Sequence, residues 1–410
     1  MASPLAETSA AASARKRWRW RWLSGAYTQE TRRDQLDGLR AFLFVCVFTV
    51  HHELDRVEYL TYSLSTFFVM SGFLITRVLW MCTADTLWGK LKIFYVRRVI
   101  RIVPAYAFVV ALLLIFDHLE HPAAYVFYYL NVKVFLVSLH QELPTYITWW
   151  SNWDRQDLHL WSMSVEEQFY LLFPWVYFLV PTRHYGTAFV AAVVLGVVSR
   201  TWFMHYYPMS FYGFLLTSCV EYFAWGSLFS YLELSGRMPA KPKAWWSLYL
   251  PVAATILLIS IEFGFDFDGY YHQRTSQFLG IIAPLIGLSM WGLWVADEKL
   301  AIVRFLNWKP FVYFGQISYP MYLTHLTFIV FCHKDLAPWI LQAVGGSARW
   351  QYAVSFVLAF IMNSLAGAFI WHVIEVPASR LKRRFPLDPS RAARRAAPAA
   401  ASPNAEPQPG

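Results

Sequence analysis

Apolar runs of roughly 16 to 24 residues, separated by short polar blocks, recur along most of this chain. Runs of that length predict helices rather than strands, and their low charge predicts helices that cross a membrane. The expected spans lie at about 36–54, 59–82, 102–117, 159–180, 187–205, 210–232, 246–263, 275–296, 311–333 and 351–372. Residues 122–140 are apolar enough to join them but carry Asn131 and Lys133. A crossing there would reverse the side of every later loop.

The basic residues decide that point, because loops rich in Lys and Arg stay in the cytoplasm. Arg15-Lys16-Arg17-Trp18-Arg19-Trp20-Arg21-Trp22 places the N-terminus inside and suits an anionic membrane surface. Arg77, Lys90, Lys92, Arg97, Arg98 and Arg101 form a dense positive block, read as a cytoplasmic loop. Arg183, then Arg237, Lys241 and Lys243, then Lys299, Arg304 and Lys309 fall on the same side only if 122–140 does not cross. That piece is therefore expected to be interfacial or re-entrant. The fold class is all-α: a polytopic membrane protein of about ten transmembrane helices with both termini cytoplasmic. Residues 1–30 are expected to be a disordered basic and aromatic segment. Residues 31–380 form one membrane domain, and 381–410 a basic, then Pro/Ala-rich, disordered tail. No soluble domain is expected after the last span, and no repeat of 20 to 50 residues is visible.

Composition strengthens this reading. Of the 410 residues 57% are hydrophobic and only 15% charged, against about 25% charged in soluble proteins. The net charge of +9 sits in short blocks between apolar runs, as topology requires, so nucleic acid is not an expected partner. Cys46, Cys82, Cys219 and Cys332 lie in or beside apolar runs without metal-ligand spacing, so neither a disulfide framework nor a metal is expected. No secretory signal peptide is seen. Phosphate-loop, serine-hydrolase and zinc-protease motifs are absent from the sequence.

The candidate chemistry starts in the first span, where Arg40 is followed eleven positions later by His51. Helical rise separates them by ~16 Å, about half a hydrocarbon core, so a histidine sits near the midplane if the arginine sits at the membrane face. An intramembrane ionisable residue suggests a site, although a simple anchor with a snorkelling arginine is the plainer alternative. Glu53, Arg77, Glu166, Glu167, Arg200, Glu221, His325, His372 and Glu375 also fall in expected spans. For Arg200, Glu221 and His372 a structural lattice of polar pairs is the preferred reading. His159, Ser162 and Glu166 share one helix face, which can present a carboxylate to His51 and hold its tautomer as a general base needs. Arg98 and Arg101 share another and, with Arg40, can clamp phosphate groups. Ser71 and Gly72 suggest close helix packing.

Taken together these residues resemble the integral-membrane acyltransferase family 3. The matching stretches are Asp37-Gly38-Leu39-Arg40-Ala41 with His51 at the R-x10-H spacing, Phe67 to Phe73, Phe94 to Pro104, His159 to Tyr170, and Phe314 to His325. Two departures are Met163-Ser164 and Thr324 before the late histidine. The resemblance implies ten transmembrane helices in the bacterial inner membrane and O-acylation of a glycan such as an exopolysaccharide or O-antigen. The implied donor is acyl-CoA, acetyl-CoA by default, with no metal. Arg40, Arg98 and Arg101 would bind its phosphates, His51 would act as base or transient acyl carrier, and Glu166 or Glu167 would orient it. Ser71, His159, Ser162 and His325 would support the substrate or the base. Trp149, Trp150, Trp153 and Trp161 could stack on sugar rings, membrane anchoring being their plainer use. A partner glycan-biosynthesis complex is possible on this reading. The rivals are a secondary transporter, with buried His, Glu and Arg relaying protons or an anion, and an inactive scaffold subunit.

Overall fold

A hydrocarbon solvent leaves backbone N–H and C=O groups no partner outside the chain, so each spanning segment must satisfy its own. The computed structural model describes residues 33–52, 58–116, 119, 121–139, 157–208, 210–264, 271–347 and 350–389. Every regular element among the described residues is helical. Ten of these helices are 15 residues or longer and fall on the ten expected runs. They are α1 Asp34–His52, α2 Tyr62–Trp80, α3 Leu87–Phe116, α4 Trp161–Leu179, α5 Tyr185–Tyr206, α6 Leu216–Leu234, α7 Leu250–Gly264, α8 Tyr271–Val295, α9 Lys309–Phe331 and α10 Gln351–Ile370. Five stretches among the described residues are both long and apolar enough to cross a membrane: Tyr62–Trp80, Leu87–Phe116, Thr182–Tyr206, Trp245–Glu262 and Gln351–Arg384. Val190, Val194, Leu195 and Val198 on α5 and Ile256 and Leu257 on α7 point outward, an apolar exposure suited to lipid.

Three local outcomes differ from the sequence expectation. The basic block at 90–101 is not a loop but the first part of α3, which runs for 30 residues, about 45 Å. Lys and Arg are good helix formers, and a helix longer than the hydrocarbon can carry its charged end beyond it. The tail expected to begin at 381 is ordered at its start: a turn at Leu381–Arg384 buries Lys382. Arg97 Nη1 of α3 clasps it, donating to Lys382 O at 3.1 Å and to Phe385 O at 2.8 Å. Residues 122–140 are not one helix. Pro122–Val126 and Leu130–Ser138 are separate helices of 5 and 9 residues, each too short to span. Tyr128 between them adopts φ +52°, a left-handed conformation unusual for an aromatic residue. Asn131, fully buried, exchanges hydrogen bonds with Gln168 of α4, at 3.1 Å as donor and 2.8 Å as acceptor. That reciprocal pair explains how an amide is tolerated there. Glu53 and Trp149, Trp150 and Trp153 lie outside the described residues.

Helices approach closely where side chains are absent. A Cβ on Gly72 of α2 would overlap the carbonyl of Phe223 on α6, and one on Gly226 would overlap the carbonyl of Val69 in return. This reciprocal contact matches the packing role expected for Gly72. Phe68, Phe169 and Phe223 then fill the space where α2, α4 and α6 meet, with Phe169 and Phe223 stacked at 4.1 Å. Gly315 lets α9 lie against the backbone of Asp37, bringing the first and ninth helices together.

Charges inside the bundle are met by other helices. Arg200 of α5 pairs with Glu221 of α6, and its second guanidinium nitrogen donates to Ser218 O at 3.0 Å and to the Tyr222 hydroxyl at 3.2 Å. Both residues are buried, as a structural lattice requires. His372, by contrast, is exposed; its Nε2 lies 3.2 Å from the Tyr313 hydroxyl and its ring stacks on that of Tyr313. Arg77 pairs with Glu233 and lies 4.1 Å over the Trp294 ring. Removing one member of a buried pair strands the other, so Glu221→Leu should destabilise the protein by about 3–5 kcal/mol. Arg200→Met added to it should recover most of that loss. Thermal unfolding of both variants in detergent micelles checks the expectation.

Candidate active site

α1 ends in two histidines whose side chains leave the helix on different faces. His51 Nδ1 lies 2.8 Å from Val47 O, one turn back on its own helix, and 3.3 Å from His325 Nε2 on α9. His325 in turn places its Nδ1 2.6 Å from Tyr322 O. A carbonyl oxygen only accepts, so both Nδ1 atoms carry their protons. His51 Nε2 therefore keeps its lone pair, the tautomer a general base needs. A positive charge formed on His51 would be shared by Val47 O and by the His325 Nε2 lone pair behind it.

The ring of His159, buried in the turn Leu158–Leu160 just before α4, lies 4.6 Å from that of His325. Ser162 Oγ and the Tyr322 hydroxyl are 2.5 Å apart, and each lies 3.1 Å from His159 O. One hydroxyl donates to the other, which donates to the carbonyl. This network fixes α4 against α9 around His325, which is fully buried.

A second cluster gathers the acidic and basic candidates. Glu166 Oε1 accepts from Ser71 Oγ at 2.6 Å, and Tyr170, four residues later on α4, donates its hydroxyl to the same Ser71 at 3.2 Å. The Arg98 guanidinium lies 4.1 Å over the Tyr170 ring, within electrostatic reach of both Glu166 and Glu167. Arg40 also acts on Glu166 electrostatically, while its own hydrogen bond goes to Asp37 at 3.2 Å. Arg101 pairs with Glu375 at 2.5 Å. Glu167 keeps one buried carboxylate oxygen without a hydrogen bond.

The structure thus divides the expected residues. It brings His51, His325, His159 and Ser162 into one cluster, and Glu166, Glu167, Ser71 and Arg98 into another. The side chain bonded to His51 is His325; Glu166 is bonded to Ser71 and neighbours Arg98 and Arg40. Arg40, Arg98 and Arg101 do not converge on one point through direct contacts: two have carboxylate partners and one stacks on a tyrosine. Tyr322 and Tyr170 were not singled out in the sequence. Their signal was spacing, since Tyr322 precedes His325 by three and Tyr170 follows Glu166 by four, each on the same helix face. Among the described residues no group of three or more His, Cys, Asp or Glu is placed to hold a metal ion.

Comparison with known proteins identifies the family. The chain belongs to the acyltransferase family whose domain model, described as an acyltransferase domain, matches residues 33–371. Among individual relatives it is similar to YrhL of Bacillus subtilis, a candidate peptidoglycan O-acetyltransferase, at 24% identity over 83% of this chain and 54% of that protein. It is similar to the O-acetyltransferase OatA of Staphylococcus aureus at 25% identity, over 82% of this chain and 56% of that protein. The peptidoglycan O-acetyltransferase OatA of Listeria monocytogenes is 25% identical over 79% of this chain and 53% of its own length. The chain spans about half the length of these relatives. No solved structure matches it.

The two clusters separate the roles open to Glu166. If it balances Arg98 beside the donor, Glu166→Gln should raise KM for the donor severalfold and leave the pH dependence of kcat unchanged. If it tunes His51, the pH profile should move. The amide oxygen still accepts from Ser71, so the melting temperature should stay near wild type. Steady-state kinetics across pH 6–9 and a melting curve check both points.

Proposed function

We propose that the protein is a bacterial inner-membrane O-acyltransferase, moving an acyl group, acetyl by default, from cytoplasmic acyl-CoA to a hydroxyl of a glycan. The observation that carries this reading is the His51–His325 pair. It holds an imidazole with its lone pair open, on the same helix as Arg40 and ~16 Å from it. That interval suits an extended donor whose phosphates remain near the arginines while its thioester reaches the histidine. The relatives described above, O-acetyltransferases of which one is a peptidoglycan O-acetyltransferase, support an acetyl group and a glycan acceptor.

In the proposed reaction, His51 Nε2 takes the proton of the acceptor hydroxyl as that oxygen attacks the thioester carbonyl. The C–S bond breaks, an ester forms, and the proton passes from His51 to the departing thiolate, giving free CoA. Val47 O and His325 hold the imidazolium between those steps. Arg40, Arg98 and Arg101 hold donor phosphates, and Glu166 and Glu167 balance Arg98. Ser71 orients Glu166, while His159 and Ser162 set the position of His325.

The ten long helices on the ten apolar runs support ten crossings, and the basic loops support cytoplasmic termini. Residues 31–380 would then be one membrane domain, flanked by a basic, aromatic N-terminal segment and a cytoplasmic tail. A glycan-biosynthesis complex would supply the acceptor.

Turnover of labelled acetyl-CoA by the protein in nanodiscs tests this reading, with donor binding followed in the same samples. His51→Ala should lower turnover by about 10²–10⁴-fold while retaining donor binding. Arg98→Ala/Arg101→Ala should lose both. A folded His51→Ala protein with wild-type turnover would remove the base assignment. Solute uptake without consumption of acyl-CoA would favour a transporter.

A further inference from the structure

We propose that Glu167 and Tyr128 form a binding site for a secondary amide of the donor's pantetheine arm, the carboxylate accepting from its N–H and the phenol donating to its C=O. This rests on the acyl-CoA reading and deepens it, by naming what holds the donor between its phosphates and its thioester.

Glu167 stands at the level where that arm would run. On α4, Ser162 belongs to the histidine cluster, and Tyr170, ~12 Å further by helical rise, carries the Arg98 guanidinium on its ring. Glu167 falls between them, five residues after the first and three before the second. In acyl-CoA the stretch between phosphates and thioester bears two secondary amides, one hydroxyl and no charge. A trans amide points its N–H and C=O in opposite directions, so it bridges an acceptor and a donor that face one another.

The surroundings of Glu167 supply that pair. Tyr106 of α3, Tyr319 of α9 and Tyr128, between the short helices after α3, all stand within electrostatic reach of its carboxylate. Tyr106 donates its hydroxyl to Tyr125 O at 3.0 Å, and Tyr319 donates to Ile102 O at 3.0 Å. No described residue accepts from the Tyr128 hydroxyl. One oxygen of Glu167 is shut off from solvent without a hydrogen bond, which is costly for a carboxylate and is relieved by a ligand N–H. An uncommitted acceptor therefore faces an uncommitted donor.

The chain holds Tyr128 in place at the expense of backbone strain. Its φ of +52° is left-handed, and strain of this kind gathers at sites that bind or react. Gln168, the residue after Glu167, donates to Tyr128 O at 2.8 Å, and the Tyr128 ring stacks on Tyr106 at 4.6 Å. Glu167, Tyr128 and Tyr319 are only half-buried, so a ligand can reach them. The acetamido group of a glycan acceptor is also a secondary amide, but the place of Glu167 on the Arg98 side of the histidines favours the donor.

The test measures binding to the full chain in nanodiscs of CoA and of two analogues, in which one or the other pantetheine amide N–H is replaced by an ester oxygen. Wild type should bind one analogue roughly tenfold more weakly than CoA. Glu167→Leu should bind CoA as weakly as wild type binds that analogue and should no longer distinguish the two. Glu167→Gln keeps an acceptor oxygen and should keep most of the discrimination, which a carboxylate that only balances Arg98 would lose. Tyr128→Phe keeps the ring on Tyr106; it should weaken CoA severalfold and leave the discrimination intact. Equal binding of CoA and both analogues by wild type, undiminished discrimination in Glu167→Leu, or its loss in Glu167→Gln would overturn the proposal and leave the donor in place. No CoA binding by folded wild type would remove the donor reading and the proposal with it. Stabilisation by N-acetylglucosamine but not glucose, absent in Glu167→Leu, would keep the amide site and move it from donor to acceptor.

Discussion

A charge or an amide inside an apolar bundle has no water to fall back on, so each must find its partner on another helix. That constraint fixes where the helices of this protein meet. Arg200 holds α5 to α6 through Glu221; Arg77 reaches Glu233 across α2 and α6; Asn131 and Gln168 lock the short helices after α3 onto α4. Glycine contacts draw the backbones together with one face of each helix inward. The polar pairs hold the same rotation, because a helix turned by a third of a revolution would leave each charge facing lipid.

The two candidate clusters obey the same constraint. His325 could rest against any apolar surface, yet its two nitrogens are committed to Tyr322 O and His51. The proton on His51 Nδ1 is committed to Val47 O in the same way. Both tautomers follow from helix register alone, which leaves one imidazole nitrogen of His51 open. The acidic and basic cluster is joined by Ser71, a residue whose neighbour Gly72 lets α6 approach α2. Packing and chemistry therefore occupy consecutive positions of one helix.

Much of the fold was legible in the sequence because hydropathy and charge act over whole segments. Runs of apolar residues mark helices wherever the solvent is hydrocarbon, and each of the ten expected runs holds a long helix. The candidate site could be proposed as a set of residues, since an ionisable group in an apolar run stands out at once. Which of them touch was not. These helices are apolar nearly all round, so their periodicity carries little information about which face meets which neighbour. The sequence pointed to Glu166 or Glu167 as the companion of His51, whereas the crossing of α1 with α9 at Gly315 puts His325 beside it. The start of α3 was missed for a related reason: a basic stretch reads as a loop by charge, while lysine and arginine favour a helix that outlasts the hydrocarbon.

The clasp between α3 and the segment after α10 has a consequence for the order of synthesis. Arg97 and the carbonyl of Lys382 are 285 residues apart, so the basic end of α3 stays uncovered while the intervening helices are made. Contacts of such long range form late, because a large loop must close before they give any return. A ribosome-bound intermediate can assemble the histidine cluster once α9 has been inserted. The end of the bundle that carries Arg97 matures afterwards, when the final helix and the turn beyond it arrive. The two halves of the proposed reaction path would thus become competent in a fixed sequence, the acceptor side first.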